Sequence, residues 1–344
     1  MENYVKSEAR FACKIDIIHN SESTAFVFES EKLEKYFIGI HVGLILKGYL
    51  ILLDALNKEG DFLSYLHSDI YKRVMDGSCV DTYEGHSVNQ LINKFEVTAK
   101  TNVSQRYFEL ASSIMMQTLE FVLCHELSHI FRGHFSFLRN HKAPKDFSII
   151  EERDVAYFFA SNPSTKETEQ NKVKIGIEAD ADMQAIFMGY NLLENEILDL
   201  SLTSDDFLDN IFIRSFSIGF LFLLIDNELA FEDQITGYPP SYWRLMFIQD
   251  YISHFNEIVL EIDKERVTNE NVNALLEIEN LAILLGYNKG RWIRLEEKNE
   301  SGNTLEFASY VHYPIFEELD KLITDISEEI DASTGTCFID GKAV

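Results

Sequence analysis

The motif His125-Glu126-Leu127-Ser128-His129 constrains this chain more than any other feature of its sequence, because its residue types and spacing are those of a metal site. In an α-helix, residues i and i+4 lie on one face, so the rings of His125 and His129 can converge on one metal ion. Glu126 projects from the side of the same turn, where it can act as a general base on water at the metal. This HExxH motif therefore predicts a helix that carries a zinc site.

The residues before the motif predict that this helix is long and buried. Ser104 is a suitable N-cap, and the apolar residues Phe121–Leu123 lead into the motif. We expect the helix to run from about Gln105 to His129, or as far as His134, with Gly133 near its end. A buried, rigid helix suits a site whose ligands must be held in register.

A third metal ligand is expected downstream, because a catalytic zinc ion usually has three protein ligands and one open position. Glu178 is the best candidate, since Glu178 and Asp182 are again i and i+4 on one face of a predicted helix. Asp182 could accept a hydrogen bond from the ring nitrogen of a ligand histidine that does not bind the metal. Asp180 is expected to point away, while the small residues Ala181 and Ala185 would let this helix approach the motif helix.

His134 is the competing third ligand. The HExxHxxGxxH motif needs its glycine and its third histidine at set distances, and Gly133 and His134 are both out of register with it. We therefore interpret His134 as a structural residue at the helix end, or at most as part of the lining of the cleft.

These motifs resemble those of gluzincin metallopeptidases, which pair HExxH with a downstream ExxxD. The closer likeness is to the family of prenyl-protein endopeptidases and heat-shock membrane proteases, whose motifs often read HELxHxxxxH and ExxADxxA, as do His125–His134 and Glu178–Ala185. That family also has an HPxxxxR element whose His and Arg help to stabilise the oxyanion. Residues 238–244 are similar to it, with Arg244 at the position of the arginine and Tyr238 at the position of the histidine. A tyrosine hydroxyl can also donate to an oxyanion.

Two alternatives stay open for this last element. Arg244 could be a surface or ion-pair residue in a helix that Pro239-Pro240 merely begins. The segment His312-Tyr313-Pro314 is also similar to the element, but Glu318 stands at the position of the arginine.

A second resemblance, to phage-exclusion peptidases of the Lit type, implies a soluble zinc peptidase with action restricted to one protein.

The chain is expected to have an α+β, mostly helical fold, and the resemblance implies a zincin-like metallopeptidase core. The β-prone runs Cys13–Ile18 and Thr24–Phe28 predict a small N-terminal β-sheet. Alternation of apolar and polar residues from Phe95 to Val103 predicts a half-exposed strand, on which an extended substrate could add as a further strand.

Three parts are expected along the chain: an N-terminal α+β part at residues 1–103, a catalytic core at 104–263 and a helical C-terminal part at 264–344. A polar stretch at about 161–174 predicts a mobile loop within the core. Further helices are predicted at about residues 31–56, 175–194, 205–230, 241–263, 270–286 and 314–330.

Composition and charge exclude several classes of partner. The chain has 57 Asp and Glu against 30 Lys and Arg, and the formal charge of −27 would repel nucleic-acid phosphates and anionic lipids. The apolar runs at residues 36–53 and 215–225 are interrupted by charge or too short to span a membrane. Met1–Phe11 does not look like a secretory signal, and four cysteines without CxxC pairing fit a reducing compartment. We expect a cytoplasmic protein, with its oligomeric state left open.

The sequence therefore predicts a soluble zinc-dependent endopeptidase that hydrolyses a protein or peptide substrate, with a restricted target as one form of that activity. The alternative is a catalytically silent zinc-binding regulatory or interaction protein, although structural zinc sites tend to be closed and rich in cysteine. The expected zinc ligands are His125, His129 and Glu178, and the expected general base is Glu126. Asp182 is expected to orient a ligand histidine, and Arg244 and Tyr238 are expected to donate to the oxyanion.

Overall fold

The fold is described from a computed structural model of the chain. The described residues are 12–30, 35–59, 83, 85–100, 103–140, 149–151, 173, 176–189, 204–226, 244, 248, 321, 324–326, 328–330 and 332. The expected helix at 270–286, nearly all of the loop at 161–174, and Tyr238 lie outside these residues. Residue 173 of that loop is helical.

A small mixed β-sheet forms at the N-terminal end, as the sequence predicts. Its strands are β1 (Ala12–Ile18), β2 (Ala25–Ser30), β3 (Lys35–His41) and β4 (Ile149–Glu151), in the spatial order β1-β3-β2-β4. β1 runs parallel to β3, while β2 is antiparallel to both β3 and β4. The two β-prone runs are thus not paired with each other, because β3 lies between them.

β3 replaces the first part of the helix that was expected at residues 31–56. Its register places Ile38 opposite Val27, and both side chains are buried. Because β3 has a partner strand on each side, pairing and burial favour an extended backbone over the local helical pattern. Helix α1 (Val42–Glu59) begins directly after the strand.

The expected strand at Phe95–Val103 is wrong where the structure describes it, because residues up to Lys100 belong to helix α2 (Val88–Lys100). Val88 and Leu91 are buried, and the ring of Phe95 lies 5.7 Å from the ring of Tyr49 on α1. These residues follow a helical period that puts one face against α1. Because residues 95–100 are helical, they do not form the strand edge on which a substrate was expected to add.

Helix α3 (Gln105–Phe131) carries the HExxH motif and confirms the predicted helix and its cap. The Ser104 side chain accepts a hydrogen bond of 3.2 Å from the backbone N–H of Tyr107. The helix ends at Phe131, and Gly133 follows with a φ of 71°, a left-handed conformation that costs glycine little. A separate short helix, α4 (His134–Asn140), then begins.

The remaining helices surround α3. Residues 176–189 form α5, and α6 (Ser204–Asp226) packs along α3, in agreement with the predicted helices at 175–194 and 205–230. α1 and the sheet also contact α3. The C-terminal residues Ile326 and Ile330 join the same buried apolar cluster as these elements. Such burial contributes about 1.5–3 kcal/mol for each large apolar side chain.

The fold is α+β and mostly helical, and every residue of α3 from Thr118 to Ile130 is buried or half-buried. None of the helices described combines the length and the apolar character that crossing a bilayer demands.

Candidate metal centre

Three buried side chains from two helices form the candidate metal centre. His125 and His129 come from one face of α3, and Glu178 comes from the first turns of α5. One ligand atom from each lies within 4.8 Å of the other two. All three residues are 1–2% exposed. The i, i+4 spacing aligns the two rings, while the third ligand depends on the packing of α5 against α3.

The distances between these atoms suit a tetrahedral metal ion. His125 Nε2 lies 3.2 Å from His129 Nε2 and 3.2 Å from Glu178 Oε2, and His129 Nε2 lies 3.8 Å from Glu178 Oε1. Ligands of a tetrahedral zinc ion with bonds near 2.0–2.1 Å are separated by about 3.3 Å. The buried Oε2 of Glu178 receives no hydrogen bond of ordinary geometry from the described residues, although His125 Nε2 lies 3.2 Å away. The group could therefore hold a cation at the point where its ligand atoms converge.

His125 is oriented directly by a carboxylate. Its Nδ1 lies 2.9 Å from Asp182 Oδ1, on the side of the ring opposite the ligand atoms. Asp182 in turn accepts two hydrogen bonds from Arg244, from Nε at 2.7 Å and from Nη2 at 2.8 Å. We call His125, Asp182 and Arg244 the direct arm. A proton on Nδ1 that points at Asp182 leaves Nε2 with its lone pair toward the metal position.

Arg244 is not at the surface, and it is the ion-pair residue of the alternative interpretation, because it is paired with the buried Asp182. It is 6% exposed, and its guanidinium lies 4.7 Å above the ring of Phe222. Its Nη2 is also 4.0 Å from Glu178 Oε2, so the arginine reaches the edge of the ligand group. The role of Arg244 as an oxyanion donor stays a prediction, and Tyr238 lies outside the described residues.

His129 is oriented through a second imidazole. Its Nδ1 lies 2.8 Å from His134 Nδ1, and His134 Nε2 lies 2.9 Å from Asp180 Oδ2. Arg132 donates to both oxygens of Asp180, from Nε at 2.9 Å and from Nη2 at 3.0 Å. We call these four residues the relayed arm. Each arm thus ends in a carboxylate held by two bonds from an arginine, which is a strong and specific geometry.

As expected, Asp180 points away from the face of α5 that carries Glu178 and Asp182, but the sequence did not indicate which residues it meets there. Asp180 is fully buried and faces His134 and Arg132, on another side of α5 from Glu178 and Asp182. His134 is also fully buried, so it is part of the polar network and not only a helix-end residue. Sequence reasoning missed Asp180 and Arg132. The sequence feature that could have indicated a buried role for Asp180 is its position between the small apolar residues Ala179 and Ala181.

The pKa values at the centre follow from burial and these charged neighbours. Burial disfavours a charged ring, but Asp182 and Glu178 outweigh it and raise the pKa of His125 well above its usual value. Burial lowers the pKa of His129, and the nearby His125, His134 and Arg244 lower it further. A proton on His125 can thus satisfy the carboxylates that a metal ion would otherwise satisfy, and metal binding would release it.

The two supporting carboxylates keep their charge. Burial raises the pKa of Asp182, but Arg244 and His125 outweigh burial and lower it. Burial likewise opposes ionisation of Asp180, and His134 and Arg132 reverse that effect and lower its pKa. Each carboxylate is therefore matched by its own arginine.

Apolar and aromatic residues enclose the centre. The ring of Phe121 lies 6.5 Å from the ring of His125 and 6.5 Å from that of Phe222. Ala181 and Ala185 are buried, which lets α5 approach α3 closely. A surrounding of low polarity strengthens electrostatic interactions within the centre. Glu126, which follows His125 in the same turn of α3, is also buried.

Comparisons of this chain with protein-family models, with curated proteins and with solved structures found no match.

Proposed function

We propose that the protein is a zinc-dependent endopeptidase of the gluzincin type, with a zincin-like core around α3 and α5. The observation that carries this proposal is the buried group of His125, His129 and Glu178, with a glutamate one residue after the first ligand. Two imidazoles and one carboxylate are a ligand set of catalytic zinc sites, whereas structural zinc sites are usually closed and rich in cysteine.

The roles of the residues follow from their positions. His125, His129 and Glu178 would hold the ion, and Asp182 and Arg244 would keep the ring of His125 in place. Zinc would supply a Lewis acid that polarises the scissile carbonyl and lowers the pKa of water toward about 7. Glu126, one residue after His125 and buried, would serve as the general base toward water and then as the proton donor to the leaving amine.

Arg244, with Tyr238, is proposed to stabilise the negative charge that develops on the carbonyl oxygen. The guanidinium lies 4.0 Å from Glu178 Oε2, so it is close to the ligand group.

The proposed substrate is a protein or peptide, with one restricted target as in the phage-exclusion peptidases that the motif resembles. The formal charge of −27 disfavours nucleic acid and anionic membranes as partners. A cytoplasmic location belongs to the same proposal.

Metal content and proteolysis in the Glu126→Gln variant test this function. We expect stoichiometric zinc by elemental analysis in wild type and in Glu126→Gln, because the substitution leaves all three ligands in place. New protein N-termini should appear in cells that express wild type, and loss of the base should reduce their formation by about 10²–10⁴-fold. Glu109→Gln is the matched control, since Glu109 is exposed on the same helix.

Three results would overturn the proposal. Full proteolysis by Glu126→Gln would show that Glu126 is not the base. A wild-type protein without bound metal would show that His125, His129 and Glu178 do not form a metal site. Zinc bound in both proteins, with identical N-termini in both kinds of cell, would favour a catalytically silent zinc-binding regulatory protein instead.

A further inference from the structure

We propose that His134 is a positioning residue for His129, and that Asp180 and Arg132 set the direction of the proton between the two rings. The inference rests on the metal site of the proposed function but does not require peptidase activity. His134 is fully buried, and each of its ring nitrogens lies within 3 Å of one polar partner, at 2.8 Å from His129 Nδ1 and at 2.9 Å from Asp180 Oδ2.

The proton positions follow from the chemistry of these partners. Arg132 binds both oxygens of Asp180, so this carboxylate acts as an acceptor. In a neutral His134, Nε2 then carries the proton and Nδ1 is an acceptor. His129 Nδ1 must in turn donate to it. His129 Nε2 is left with its lone pair directed at the metal position.

The same geometry shows why His134 is not itself a metal ligand. Nδ1 of His134 faces Nδ1 of His129, and Nε2 of His134 faces Asp180, so neither nitrogen of His134 is directed at Glu178. The three ligand atoms that converge belong to other residues. His134 therefore acts on the metal only through His129.

The chain direction at Gly133 makes this contact possible. In a continuous helix, residues five apart point in directions that differ by about 140°, so His134 would face away from His129. The left-handed conformation of Gly133, with φ 71°, ends α3 and starts α4 at His134. The new helix direction brings the His134 ring back to His129, where the ring centroids are 4.9 Å apart.

Position 180 on α5 is suited to the same task. Residues two apart on a helix differ in direction by about 160°, so Asp180 cannot share the face of Glu178 and Asp182. It instead meets His134 and Arg132 from the turn that follows α3. Glu178 is thus the ligand, while Asp182 supports His125 directly and Asp180 supports His129 through His134.

Zinc affinity and the cobalt spectrum of His134 variants test this inference. His134→Leu removes the acceptor for His129 Nδ1, and we expect zinc to bind about 10–100-fold more weakly. His134→Asn places an amide oxygen near the position of Nδ1, so it should bind zinc within a few-fold of wild type. With Co²⁺ in place of zinc, the d–d absorption should shift in His134→Leu and stay close to wild type in His134→Asn.

The controls separate positioning from packing. His41→Leu removes a buried histidine on β3, outside the centre, and should leave zinc affinity unchanged. If His134→Leu does not fold, His134→Gln supplies the comparison, because its longer amide reaches toward Asp180 and leaves His129 without an acceptor. It should lose affinity as His134→Leu does.

Wild-type affinity in both His134→Leu and His134→Gln would overturn the inference and leave the metal site standing. Equal losses in His134→Asn and His134→Leu would assign His134 a packing role only, which also overturns it. A wild-type protein that binds neither zinc nor cobalt would overturn the metal site and this inference together.

Discussion

His125 meets a carboxylate directly, whereas His129 reaches one only through the ring of His134. Both arms end in the same way, with two hydrogen bonds from an arginine to a buried aspartate. They differ in how they are built. The direct arm joins α3, α5 and Arg244, which is 62 residues from Asp182, while three members of the relayed arm lie within six residues at the end of α3.

One helix, α5, can therefore support two ligand rings by different routes. Asp182 lies on the same face of α5 as Glu178 and can touch the ring of His125 itself. Asp180 faces elsewhere and needs an intermediate side chain to reach His129. The direct arm should therefore affect the metal more strongly, and the relayed arm should depend more on the local turn at Gly133.

The largest expected effect is on stability, when either arginine is removed. Arg132→Ala and Arg244→Ala each leave a buried aspartate without its arginine, and we expect each to lower the free energy of unfolding by about 3–5 kcal/mol. Urea unfolding with a chelator present measures this. Arg139→Ala is the control, because Arg139 pairs with Glu29 while 43% exposed and should cost less than about 1 kcal/mol.

A second substitution sharpens this comparison. Asp180→Asn in the Arg132→Ala background removes the uncompensated charge and should recover part of the lost stability, as should Asp182→Asn with Arg244→Ala. If only one arginine matters for stability, the two arms are not equivalent supports of the fold.

The next effect separates the arms by metal affinity. Asp182→Asn should weaken zinc binding by about 10–100-fold, because it removes the partner that orients His125 itself. Asp180→Asn should weaken it by less than about tenfold, since one imidazole lies between this residue and the ligand. Competition with a chromophoric zinc chelator measures both. Equal or reversed effects would contradict the distinction between a direct and a relayed arm.

The smallest effect concerns the turn that builds the relayed arm. Gly133→Ala should lower the free energy of unfolding by about 1 kcal/mol, because alanine resists a φ of 71°. Gly85→Ala is the matched control, with a φ of 70° and no atom near the new Cβ. Both variants should lose similar stability, but only Gly133→Ala should also bind zinc more weakly. Equal zinc affinity in both variants would show that the conformation of Gly133 does not affect the metal centre.

Local patterns allowed much of the fold around the centre to be predicted. Ser104 begins α3 because a serine oxygen can satisfy the first free N–H groups of a helix. The predicted strand at Phe95–Val103 failed where the structure describes it, because a short alternation of nine residues does not exclude a helix that is buried on one face. The expected helix at 31–56 failed at its start, because β3 is determined by its pairing with strands distant in sequence.

The spacing of residues along the chain is enough to tell which side chains share a helix face. The helical repeat places His125 with His129 and Glu178 with Asp182. The packing of α5 against α3, with Glu178 between the two rings, could be learned only from the folded chain. The folded chain also brings Asp180, His134 and Arg132 together as a second support. Such contacts depend on where a chain turns and which helices pack together, and spacing along one helix does not contain that information.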